Sequence, residues 1–116
     1  MNRAGFISLM SVALLGSALG TAAMATDAQD HDAVEARLRG CVAAGAASAP
    51  KTALANAVQH DRALCGPQIT DLAEIRAGVA AAGLSGEAAE EAKARALREL
   101  NNEIAFAVAN FTGLTQ

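Results

Sequence analysis

The chain has 116 residues with 12 acidic and 9 basic side chains, a net charge of −3, and room for one small domain. It gathers no basic patch and has no Trp, no Tyr and three Phe, which excludes the phosphate-neutralising clusters and stacking platforms of a nucleic-acid binder. Two cysteines (65 − 41 = 24 positions apart) without a CxxC unit form no zinc knuckle, thioredoxin-type centre or haem attachment motif.

Residues 1–25 read as a cleaved secretory signal peptide. Arg3 supplies the positive start, Phe6 to Leu19 the short apolar run, and Ala23-Met24-Ala25 the small-x-small pattern before the cut. The run is shorter than the ~20 residues that cross a bilayer. No cysteine stands at the cut for a lipid anchor, so no stable membrane anchor is expected after cleavage. Residues 26–116 then keep all 12 acidic residues and 8 of the 9 basic ones, a net charge of −4. They form the single expected domain, with a periplasmic or secreted location. Only 18 of these residues are large and apolar, much of the remainder being alanine, which favours helix but buries little area. Export makes a Cys41–Cys65 disulfide available to staple so thin a core.

The predicted fold is all-α: a small bundle of about four short Ala-rich helices, the first two tied by that disulfide. After a polar stretch from Thr26 to His31 that is expected to fray, Asp32 and Glu35 read as an N-cap with its reciprocal carboxylate. The first helix sets Val34, Leu38, Cys41 and Val42 on one face, with Glu35 and Arg39 as an i,i+4 pair outside. Gly45 reads as its left-handed cap within the run Ala44 to Pro50.

Pro50 suits the first turn of a second helix, which carries Leu54, Val58 and Cys65 inward, with Ala57 and Leu64 on a flank. Gly66-Pro67 ends it. For the two sulfurs to meet, the segment Ala44 to Pro50 must be extended, because roughly 14 residues of second helix span about 21 Å. Thr70 or Asp71 caps a third helix with an inward stripe of Leu72, Ile75, Val79 and Ala82, closed by Gly83-Leu84. Ser85 caps the fourth and longest, reaching about Asn110. Its stripe is Leu97, Leu100, Ile104, Ala107, Val108 and Phe111, and Glu91, Arg95, Glu99 and Glu103 line its far side.

Chemistry has few footholds. His31 lies among Asp27, Asp30 and Asp32 in a segment expected to fray, which reads as a solvated acidic tail in place of a metal site. His60 reads as a surface or helix-end histidine, pointing away from its neighbour Asp61. No Gly-x-Ser-x-Gly elbow, HExxH pair or phosphate loop is present, so neither catalytic residues nor a cofactor are expected.

Phe106 breaks the pattern, standing on the fourth helix opposite its apolar stripe. The expected arrangement covers it with another helix or with the N-terminal segment. Left exposed, Phe106 becomes an apolar anchor for a partner or a second copy, in a patch that also draws on Leu114. Three functions compete on these grounds: a non-enzymatic periplasmic interaction module, an acid- or stress-type holdase chaperone, and a structural accessory subunit of an envelope complex.

Overall fold

A computed structural model describes residues 19–115, with side chains from Asp30 onward. Four helices follow one another: α1 (Leu19–Ser48), α2 (Leu54–Leu64), α3 (Gly66–Ala81) and α4 (Gly86–Thr112). No strand occurs among the described residues. The chain is thus all-α, and a disulfide joins Cys41 on α1 to Cys65 at the end of α2, with Cα atoms 5.8 Å apart.

Helix α1 is longer than its sequence suggests at both ends. It runs unbroken through Asp30, His31 and Asp32, so Asp32 is a mid-helix residue and not a cap. The proposed cut after Ala25 falls within this helix, while the signal-peptide start and most of its apolar run lie outside the described residues. The first buried side chain is Val34, followed at successive turns by Leu38, Val42, Ala46 and Ala49. Helix turns before Val34 therefore add no described side chain to the core.

At the other end Gly45 is helical and buried, with no positive φ, which removes it as a left-handed cap. The helix continues to Ser48, whose hydroxyl donates to the Gly45 carbonyl at 3.1 Å. Pro50 lies in the connection that follows, and α2 starts only after Ala53, in extended backbone at φ −151° and ψ 144°. This division also closes the disulfide. At ~1.5 Å per residue, α1 climbs about 10 Å beyond Cys41 and α2 descends about 16 Å to Cys65. The short loop 49–53 makes up the difference, so the extended segment lies later than the expected Ala44 to Pro50.

α2 hands over to α3 with no intervening loop. Cys65 donates its N–H to Asp61 O at 2.8 Å, ending α2, and accepts from Ile69 N–H at 2.9 Å, opening α3. Pro67 stands in the first turn of α3, where its missing N–H costs no helical bond. Gly66-Pro67 therefore starts a helix as it ends one, and neither Thr70 nor Asp71 is a cap. Gly83 does turn left-handed (φ 74°) after α3, with Leu84 N–H returning to Ala81 O at 2.9 Å. Ser85 precedes α4 as expected, although its side chain makes no capping bond.

The core lies where α1, α3 and α4 meet. Val34, Leu38 and Val42 pack with Leu72 of α3 and with Leu100, Ile104 and Val108 of α4. Burying each contributes about 1.5–3 kcal/mol. Ala57 and Cys65, both fully buried, extend this core along α2. The stripe of α4 is narrower than its sequence suggests: Ala89 and Ala96 are buried, whereas Leu97 and Phe111 are exposed. Val79 of α3 is 67 % exposed, and Ala82, just after its end, also faces solvent, while Ala80 and Ala81 between them stay partly buried. Leu64, expected on a flank of α2, is exposed too.

Candidate functional site: an uncharged Phe106 face and a buried carboxyl

Three features rise above the general packing. The first is a polar clasp. Arg76 of α3 donates from Nη1 to Glu103 Oε2 of α4 at 2.7 Å and from Nη2 to Glu35 Oε1 of α1 at 3.2 Å. Glu35 thus pairs across the bundle and not with Arg39, since one guanidinium can serve two carboxylates at once. Beneath it lies an apolar recess of about 130 Å³ among Leu38, Val42, Leu72, Leu100, Ile104 and Phe111. Both arms of Arg76 are committed to protein carboxylates, so the clasp ties three helices together, and Arg39 also lines the recess beneath it.

The second feature is the face around Phe106. Phe106 is 70 % exposed, so the covering helix expected from the sequence is not there. Its ring borders a groove of about 410 Å³ formed with Leu54, Asn102, Ala105, Ala109, Leu114 and Thr115. A neighbouring depression continues across the start of α2 through Thr52, Ala53, Ala55 and Val58. None of these residues is charged, in a chain with 21 charged residues. Leu114 is held half-buried against the core after Gly113 turns left-handed (φ 73°), and its N–H bonds Thr112 Oγ1 at 3.2 Å. The two residues singled out from the sequence, Phe106 and Leu114, therefore line one groove. Phe106 supplies the exposed ring and Leu114 part of the floor.

The third feature went unnoticed in the sequence. Asp61 on α2 is 0 % exposed and is the only buried charged residue among the described ones. Its carboxyl fits where Gly45 of α1 has no side chain: a Cβ there would stand 2.8 Å from Asp61 Cγ and closer still to Oδ1. Oδ2 has no hydrogen-bond partner. Oδ1 lies 3.8 Å from Cys65 Sγ, but a disulfide sulfur carries no hydrogen, so this contact is not a hydrogen bond. His60, next to it, turns outward to Ser48 Oγ at 3.1 Å. With the Ser48 hydroxyl proton given to Gly45, Nε2 of His60 is the donor in that bond.

Burial pushes the Asp61 carboxyl above its ordinary value of 3.8, and the nearby His60 pulls it partly back. The folded form therefore binds the proton more tightly than the unfolded chain. The stability this contributes is full below 3.8 and is lost as pH rises through the folded value. Asp61→Asn removes that dependence. Denaturant melts from pH 4 to pH 8 should show the Asn variant gaining on the parent as pH rises. A constant difference between the two proteins over that range would mean that folding does not shift the Asp61 carboxyl.

Among the described residues no cluster of His, Cys, Asp or Glu could hold a metal, and no helix is long and apolar enough to cross a membrane. No family model matches the chain, nor does any curated protein or solved structure.

Proposed function

We propose that this is an exported, periplasmic or secreted interaction module, with no enzymatic activity of its own at the Phe106 face, that binds a protein partner there. The observation that carries the reading is the uncharged groove with an exposed phenylalanine at its edge. Interface centres are depleted in charge and enriched in aromatic anchors, and a groove of this size accepts a side chain or a short helical ridge. Phe106 is the most exposed large apolar residue among the described ones, and the only exposed one beside this uncharged groove. The disulfide and the leader-like N-terminus support export. A structural accessory subunit would use the same face, and the identity of the partner separates the two.

The holdase reading needs carboxylates whose protonation loosens the fold. Asp61 works in the opposite sense, since acid removes the charge that its burial penalises. This makes acid-triggered release of the core the weaker alternative.

Phe106→Ala tests the proposal. As an exposed site it should alter stability by no more than about 0.5 kcal/mol. It should also abolish crosslinked recovery of the partner from the periplasmic fraction, or self-association measured by light scattering. Intact mass of the same material reports whether the chain begins at Thr26. A variant that retains full partner recovery and the parent's oligomeric state would refute the Phe106 site.

A further inference from the structure

The core of this protein contains an oddity that the interaction face does not use. A carboxyl group with no hydrogen-bond donor is sealed against one sulfur of the only disulfide. A buried polar group without a partner is costly, and a glycine, Gly45, makes room for this one. The two sulfurs also differ. Cys65 is fully buried beside Asp61, whereas Cys41 is only partly buried at the edge of the core.

We propose that Cys41–Cys65 is an exchangeable disulfide, at which an external dithiol attacks Cys41 and Asp61 supplies the proton that the buried Cys65 sulfur takes up on leaving. In the forward step a thiolate of the dithiol bonds to Cys41 Sγ. The Cys41–Cys65 bond breaks, and its electron pair stays on Cys65 Sγ. A bare thiolate in this apolar site is costly. The Asp61 proton moves to it over the 3.8 Å that separates Oδ1 from Sγ, leaving the carboxyl ionised. The second thiol of the reductant, as thiolate, attacks its own mixed-disulfide sulfur and releases Cys41, which takes a proton from water. The protein disulfide is reduced by two electrons and the dithiol is oxidised to a cyclic disulfide.

Reduction also changes the surroundings of Asp61. The new Cys65 S–H can donate to Oδ1, so the ionised carboxylate gains a hydrogen bond that the oxidised protein could not provide. In the reverse direction the same carboxylate takes the Cys65 proton and frees the thiolate to re-form the bridge.

Few other charges face this site. α1 has no ionisable residue other than Cys41 after Arg39, and the α2–α3 junction has none but Cys65 between Arg62 and Asp71. On α4, Asn101 receives Arg62 Nη1 at 2.7 Å, which draws that cation outward. His60, outside the seal, is the one group whose charge bears on Asp61. Burial holds the Asp61 proton to higher pH than an ordinary carboxyl, as a proton donor at this position requires.

The test is reduction of the folded protein by dithiothreitol between pH 5 and pH 8, followed by free-thiol labelling. Rates are expressed per dithiothreitol thiolate. The parent rate should be first order in dithiothreitol and should fall as pH rises through the Asp61 titration. Asp61→Asn and Asp61→Ala should be about tenfold or more slower at the acidic end and flat with pH. Quenched mixed disulfide should sit on Cys41. A merely structural carboxyl would alter the rate equally at every pH. A parent profile already flat, a rate that saturates at the global opening rate, or dithiothreitol captured on Cys65 would each overturn the proposal. Circular dichroism confirms that the variants are folded, and having two of them keeps the test open if one is not.

Discussion

Replacing both Cys41 and Cys65 by alanine should lower the unfolding free energy by about 2–5 kcal/mol, the largest loss expected from any single feature of this fold. The bridge closes a loop with a sequence separation of 24, for which the loop-entropy rule suggests about 3 kcal/mol. Small domains have only about 5–15 kcal/mol in total, so this loss should depress the melting temperature by on the order of 10–20 °C. The bridge matters because α2 is short, 11 residues, and buries only Leu54, Ala57 and Asp61 among its own side chains. Cys65 holds the C-terminal end of that helix to α1. Cys41→Ala with Cys65→Ser should lose less than the double alanine variant, because a hydroxyl at position 65 gives Asp61 a donor. Thermal melts of the two variants beside the parent decide the matter. Equal melting temperatures for all three would show that the packing of α1 on α3 and α4 carries the fold without a staple.

The elements that sequence made legible are those set by local chemistry. Gly83-Leu84-Ser85 carried the turn between α3 and α4 because a left-handed glycine and an extended residue before a helix leave a local signature. The disulfide followed from compartment and count. Asp32 misled because an acidic residue before an apolar repeat looks like a cap, although Ala and Gln around it propagate a helix equally well. Pro50 misled for a similar reason: proline suits a first helical turn, but it suits a loop equally.

Asp61 was harder to see for a different reason. It sits four residues after Ala57 and four before Cys65, on the inward stripe of α2, and Gly45 likewise follows Cys41 by four on α1. The periodicity was therefore present on both helices. Composition argued against reading it, since a lone aspartate is almost never fully buried. Only the crossing of α1 and α2, a tertiary fact, places the missing side chain of Gly45 opposite the carboxyl. Exposure of Phe106 is tertiary too, because no local rule says which side of α4 the other helices leave bare.

That crossing leads to a test in which one substitution should change sign. Gly45→Ala puts a methyl group into the space of the Asp61 carboxyl, and overpacking of this kind costs about 1–3 kcal/mol. The carboxyl cannot swing into solvent, because Asp61 is fully enclosed and its Cα would lie 3.6 Å from the new Cβ. Relief would require α1 and α2 to separate, which the disulfide at Cys41 and Cys65 resists. Alanine is nevertheless the better helix former by ~1 kcal/mol, and Gly45 lies inside α1. In the Asp61→Ala background the obstruction is gone and only the helix preference remains. Gly45→Ala should therefore destabilise the parent and stabilise the Asp61→Ala protein by up to ~1 kcal/mol. The difference between the two backgrounds is the coupling energy of a double-mutant cycle, and contacting residues are where such cycles depart from additivity. Denaturant unfolding of the four proteins measures it. An equal cost in both backgrounds would show that Gly45 is required by the approach of the helix backbones themselves, and that the carboxyl fills a gap already there.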